Sequence, residues 1–427
     1  MMQLPVPGRH LPALPLSSTA EPDFELAKRH LPILMLDTAE PFAPLVAGYA
    51  VYREKAKSRS SKFRLYPRAA AIIEYALWYD WDIQHLYDLE HVWVHIDDTG
   101  QVVTVEASRH GARLPMRRPD QTLPVEGQRP LLYVEPGKHA HWADPAEMKR
   151  DAGVLVEAMC SAFAGDQGIH LSNRFSQQGQ ICASLFENRL ARLKLKRLAF
   201  KPSWNFNNSL DAQPALQLVP WEILEDWIPQ RFEALVSELP GTVPHLAAVF
   251  LDCGDTLVDE RTEVKRPGTD IVITGDLIPG ANAMISELKA AGHRLCLVAD
   301  GPRETFENLL QLHDLWTSFD AHIISGDIGE LKPSPKMFQA ACAAMGLHEN
   351  DRDRTVMVGN NLERDIVGAN RFGLISIFLA WSTRRSHKPR LRDERPRLTI
   401  RQITELPGLL ERIELSLPNS AVQGGRT

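Results

Sequence analysis

The chain has 427 residues, 44% hydrophobic and 24% charged, which suits two or three folded domains at roughly 150 residues each and excludes wholesale disorder. Lys plus Arg is 48 and Asp plus Glu is 54, a net charge of −6 without the basic footprint of a nucleic-acid binder. The five cysteines contain no CxxC, four prolines break the opening MMQLPVPGRHLPALPL, and no stretch approaches about 18 unbroken apolar residues. The expectation is a reduced, soluble, cytoplasmic protein with neither a nucleic-acid nor a membrane partner.

In chain order, β-rich runs come first. EYALWYDWD (74–82), LEHVWVHID (89–97) and QVVTVEAS (101–108) are dense in Val, Ile, Tyr and Trp, and DDTG between the last two is a hairpin turn. LLYVE at 131–135 is a further strand. Helical patterns follow at 144–163, where Asp144-Pro145 supplies an N-cap and first turn, then at 177–199 and 220–238. ELPGTVPHL at 238–246 carries two prolines and a glycine and is the expected linker. Beyond it the pattern alternates. AAVFLD, RLCLVAD, AHIISG, TVMVG and LISIFLA are strands, separated by helices at 281–291, 302–313, 335–345 and 363–370. That rhythm predicts βαβ units and a mainly parallel sheet. The expected architecture is a β-rich, sandwich-like domain over 1–145, a helical extension over 146–240 and an α/β Rossmann-like domain over 245–415.

The chemistry-bearing residues sit at strand ends. VFLDCGDTL places Asp252 at the C-terminal end of the first strand of the parallel sheet, the edge where open α/β sheets bind ligands. A carboxylate there serves as a nucleophile or as an oxygen donor to Mg²⁺. Thr256 follows four residues later with a hydroxyl able to fix the loop. Lys332 opens LKPSPKMF just before a helix, where an ammonium can neutralise a transferring group. Asp365 lies in VGNNLERDIVGAN, after the fourth strand. The run 384–401 holds eight Arg or Lys and reads as a solvated loop.

Taken in order, these motifs resemble the haloacid dehalogenase superfamily over about residues 245–405. The resemblance implies a phosphorylated substrate, Asp252 as nucleophile, Thr256 orienting the loop, and Lys332 holding nucleophile and transferred group. It also implies a Mg²⁺ site at Asp252, Gly254, Asn360 and Asp365, with substrate held at Asp300 and Gly301. Backbone N–H groups around Cys253, Gly254, Asp300 and Gly301 form the expected oxyanion cradle. Three positions depart from the pattern. Gly254 stands where phosphatases of the superfamily carry a proton-transferring Asp, Ala299 replaces a Ser or Thr, and Asn360 replaces an Asp. A missing general acid costs about 10²–10⁴-fold. The implied function is an Mg²⁺-dependent phosphatase working through an aspartyl-phosphate. The alternatives are a degenerate fold kept for binding or regulation, and dehalogenase or phosphonatase chemistry at the same Asp. DERTEVKRPGTDIVITGDLIPG (259–280) reads as a β-hairpin flap, so the site is capless.

WDIQHLYDLEHVWVHID (81–97) is a second constellation. On a strand Asp88 and Glu90 share one face, and with His85 they form a possible second divalent-metal site, to which His139 and His141 are further candidates. This segment, EASRHG and YVEPGKHAHW together resemble the necrosis-inducing-protein and vacuolar-sorting-associated β-sandwich proteins over about residues 65–145.

Overall fold

A computed structural model describes residues 22–170, 174–209 and 216–419. The described residues fall into two compact units, one within Met1–Ala183 and Leu190–Leu239, the other within Ser184–Arg189 and Pro240–Thr427. No described helix is long and apolar enough to cross a membrane.

The first unit opens with helix α1 (Pro22–Arg29) and builds two sheets from β1 (Ile33–Leu36), β2 (Val46–Tyr52), β3 (Ala71–Trp81), β4 (Leu86–Ile96), β5 (Val102–Arg109), β6 (Ala112–Pro115), β7 (Val125–Glu126), β8 (Arg129–Val134), β9 (His141–Trp142), β10 (Asn208–Ser209) and β11 (Gln217–Pro220). One sheet runs β9-β8-β1-β10 with β7 beside β8, and the other β11-β2-β3-β4-β5-β6. Alternation decides which side chains face inward. Tyr75, Leu77 and Tyr79 of β3 and Val92, Val94 and Ile96 of β4 share one apolar cluster with Leu34, Leu36, Leu132 and Val134 of the other sheet. Asp88 pairs opposite Tyr79 and Glu90 opposite Leu77, so both carboxylates lie on this inward face.

Helix α2 (Pro145–Cys160) starts as expected, with the Asp144 carboxylate accepting the Glu147 N–H. Helix α3 (Leu185–Arg197) starts later than the pattern suggests. Ser184 and Glu187 fix that start by capping each other, Ser184 Oγ accepting the Glu187 N–H and Glu187 accepting the Ser184 N–H. Helix α4 (Trp221–Thr242) continues through Pro240 into the expected linker, its last turns held by the buried Leu235, Val236 and Leu239. A proline forfeits one helix bond, which burial of that apolar face offsets. On the outer face of the six-stranded sheet, Gly48 of β2 leaves the room that Leu224 of α4 fills.

The second unit is the expected βαβ series. Strands β12 (Ala248–Leu251), β15 (Leu295–Ala299), β16 (Ala321–Ile324), β17 (Thr355–Gly359), β18 (Ile375–Leu379) and β19 (Leu398–Ile400) form one parallel sheet in the order β16-β15-β12-β17-β18-β19. Val249 and Leu251 pack with α5 (Ala281–Ala290), α6 (Arg303–Leu312) and α9 (Leu406–Ser416) on one face. Phe250 faces α7 (Pro335–Ala344) and α8 (Val367–Phe372) on the other. The chain reverses its winding on either side of β12, so the C-terminal end of β12 opens at the switch point of a doubly wound sheet. The segment after it forms the expected antiparallel hairpin, β13 (Val264–Lys265) with β14 (Val272–Thr274).

Candidate active site

Asp252 leaves the end of β12 with its N–H bonded to the Val358 carbonyl of β17 at 3.0 Å. This fixes its carboxylate at the sheet edge. Lys332, 3% exposed, reaches the same point from the start of α7. Its Nζ donates to Asp252 Oδ1, to Asp365 Oδ1 and to the Val298 carbonyl, each at 2.7 Å. An ammonium has three protons, and here each has an acceptor. Burial would lower the lysine's pKa, but Asp252, Asp365 and Asp300 outweigh it and raise it, so the group stays charged. Asp365 is buried beside Asp252, and its carboxyl is pushed up to about 7 by burial first and by the Asp252 charge second. The Lys332 bond and the Asn361 N–H, 3.0 Å from Asp365 Oδ2, work in the opposite direction.

Three of the four residues that the motif order singled out, Asp252, Lys332 and Asp365, therefore meet in one cleft of about 370 Å³. Other expectations need correction. Thr256 Oγ1 is buried and makes no hydrogen bond to the protein, and the loop is held instead by the N–H groups of Thr256, Leu257 and Val258 converging on the Cys253 carbonyl. Asp300 is a brace. Its Oδ1 accepts the Lys332 N–H at 2.9 Å and its Oδ2 pairs with Arg364 at 3.3 Å. The Gly301 N–H is committed to Ser325 Oγ at 2.9 Å, which removes one amide from the expected cradle. Gly254 offers only its backbone, and the Glu260 carboxylate lies over it.

The cleft is also lined by residues that strand-end reasoning passed over: Glu260, Glu263, Arg364 and Arg385. Burial, then the Glu260 charge, raises the Glu263 carboxyl. Two exposed residues of the basic run reach the flap segment, Arg384 pairing with Glu260 at 2.8 Å and Arg385 at 3.5 Å. Their signal was present as opposite charge on the flap segment, but spacing alone does not reveal that pairing.

The donor types suit a hard cation. Asp252 and Asp365 are carboxylates sharing one ammonium, and Asn360, 4% exposed, adds an amide. The Asp252 and Asp365 carboxylates, 13% and 1% exposed, share one ammonium, and Mg²⁺ would neutralise the negative charge left over.

In the first unit His85, Asp88 and Glu90 do not meet at one point. His85 Nδ1 contacts the Tyr87 carbonyl at 2.9 Å, while its Nε2 faces Asp82 at 3.6 Å. Asp88 faces His139 Nδ1 at 3.4 Å, and Glu90 accepts the Ser108 hydroxyl. Tyr87 has φ 49°, and this irregularity turns the strand between His85 and Asp88. Among the described residues no group of three His, Cys, Asp or Glu side chains is arranged to hold a metal ion. His139 is stacked on Tyr79 with ring centroids 3.8 Å apart, and its Nε2 lies 3.7 Å from Glu40.

Comparison with known proteins agrees with the second unit's geometry. The haloacid dehalogenase-like hydrolase family matches residues 235–373. Mouse N-acylneuraminate-9-phosphatase is 31% identical over 144 residues, 34% of this chain and 56% of that protein. Glyceraldehyde 3-phosphate phosphatase of Methanopyrus kandleri is 31% identical over 182 residues, 42% of this chain and 70% of that protein. Pyrophosphatase PpaX of Bacillus mycoides is 29% identical over 129 residues, 30% of this chain and 57% of that protein. The chain thus spans about half the length of the mouse relative. A parallel sheet with an aspartate at its switch point, and a 31% match across 70% of one relative, lead to one assignment: the chain belongs to the haloacid dehalogenase-like hydrolases.

Proposed function

We propose that the second unit is a phosphatase that transfers a phosphoryl group from its substrate to Asp252 and then to water, with Mg²⁺ as cofactor. The observation that carries this reading is the Lys332 ammonium bonded at 2.7 Å to both Asp252 and Asp365. A degenerate fold would have no need to hold three charges at a buried sheet edge at the cost of their desolvation. The relatives named above, all phosphatases or a pyrophosphatase, support the same chemistry.

In this reading Asp252 Oδ2 attacks phosphorus while Lys332 keeps Oδ1 fixed and its charge near the transferring oxygens. Asp300 holds the Lys332 backbone, so the ammonium does not drift as charge develops. Asp365 and Asn360, with Asp252, would hold Mg²⁺, which when bound supplies positive charge to the phosphoryl oxygens. Water then attacks the aspartyl-phosphate, releasing phosphate and restoring the carboxylate.

Asp252→Asn keeps the shape and removes the nucleophile's charge. Turnover of an activated aryl phosphate should fall by about 10³-fold or more with the melting temperature little changed. Wild-type turnover should depend on added Mg²⁺ and stop with chelator. An Asp252→Asn protein as active as wild type would sink the reading.

A further inference from the structure

Gly254 is the position at which the superfamily resemblance places a proton-transferring Asp. The position has no side chain, yet the space beside it is filled. A Cβ built on Gly254 falls inside the van der Waals envelope of Glu260 Oε1, 2.9 Å from Glu260 Cδ and 3.1 Å from its Cγ. Glu260 thus lays a carboxylate over the Gly254 backbone, arriving from further along the same loop. It is held at both ends. Its N–H donates to Asp255 Oδ1 at 3.1 Å, and its carboxylate meets Arg384 at 2.8 Å and Arg385 at 3.5 Å. Its side chain is 20% exposed, on the wall of the cleft that also contains Asp252 and Lys332. Glycine at 254 and glutamate at 260 are complementary, since any side chain at 254 displaces the carboxylate.

We propose that Glu260 is the proton-transfer residue of this site, replacing the carboxylate that Gly254 lacks. The proposal rests on the phosphatase reading. In the first step the Asp252 oxygen bonds to phosphorus, the bond from phosphorus to the leaving oxygen breaks, and Glu260, which enters the step carrying a proton taken from solvent and released from its Arg384 pair, gives that proton to the leaving oxygen. In the second step water bonds to phosphorus, the bond from phosphorus to Asp252 breaks, and the Glu260 carboxylate takes the water's proton. The sum is phosphate ester plus water giving alcohol plus phosphate, with Glu260 unchanged.

The test is kcat/KM of the full-length protein across a leaving-group series: p-nitrophenyl phosphate, phenyl phosphate and glycerol phosphate. kcat/KM reports the first step, in which a good leaving group needs no proton. Glu260→Gln should leave p-nitrophenyl phosphate within a few-fold and lower glycerol phosphate by about 10²–10⁴-fold. The paired variant Gly254→Asp with Glu260→Ala returns a carboxylate by the other route and should recover much of the lost glycerol phosphate turnover. Equal losses on all three substrates, or none, overturn the proposal while Asp252→Asn remains inactive and the phosphatase reading stands. Turnover that survives Asp252→Asn overturns both.

Discussion

Gly359 ends β17 where the Asp365 side chain turns back against it. A Cβ at 359 would overlap the Asp365 carboxyl and stand 2.7 Å from its Cβ. Asp365 has little freedom to yield, since Lys332 and the Asn361 N–H hold its two oxygens. Gly359→Ala should therefore cost about 1–3 kcal/mol in a denaturant titration and reduce turnover well beyond that loss of stability. Full turnover in Gly359→Ala would show that the position of Asp365 is not critical. At this scale Asp252, Lys332 and Asp365 were legible because each is tied to a strand end or helix start, whose location hydrophobic patterning reveals. Glu260 was not, because its place depends on how a loop folds back and on arginines more than a hundred residues away. Asp300 was legible as a cleft residue but not as a brace, since which oxygen meets which donor is settled only by packing.

Three neighbouring strands of the first unit are joined by one carboxylate. Glu106 on β5 accepts from His95 on β4 at 2.9 Å and from Arg113 on β6. Burial alone would raise the Glu106 carboxyl, but these two partners hold it at about 2, against an ordinary 4.5. The folded-state value lies below the unfolded one. Glu106 therefore stabilises the fold above pH 4.5, and that contribution drains away as pH falls from 4.5 towards 2. Melting temperatures of wild type and Glu106→Gln should differ at pH 7 and converge towards pH 2. A gap that stays constant over that range would refute the linkage. The strands themselves were readable from their aromatic and β-branched alternation. The end of α4 was not, because Pro240 signals a stop that Leu239 and its buried neighbours override. The late start of α3 follows from Ser184 and Glu187, a capping pair that a broad helical pattern hides.

For the whole molecule, composition and the change of rhythm near residue 241 disclosed two kinds of architecture. They did not disclose that Ser184–Arg189 belongs to the second unit. Within that unit Arg189 pairs with Glu414 of α9, whose Oε1 also accepts the Leu246 N–H at 2.8 Å. Glu414 is 1% exposed, and burial raises its carboxyl despite Arg189. Arg189→Ala would strand a buried acid and should lower stability by about 3–5 kcal/mol, read from the denaturation midpoint. Adding Glu414→Leu should recover most of that loss, since an apolar pair leaves no charge unpaired. A double variant no better than the single one would show that packing, not charge, is what Arg189 supplies.

Ser184–Arg189 also sets an order of events during synthesis. These six residues leave the ribosome before any strand of the sheet they join, and Arg189 precedes its partner by 225 positions. Domains generally fold as they emerge, N-terminal first. Here the first unit can close around its own segments while Arg189 waits in solvent with nothing to pair with. The second unit is completed only when α9 appears, so a chain stalled before it keeps an open seam at that place.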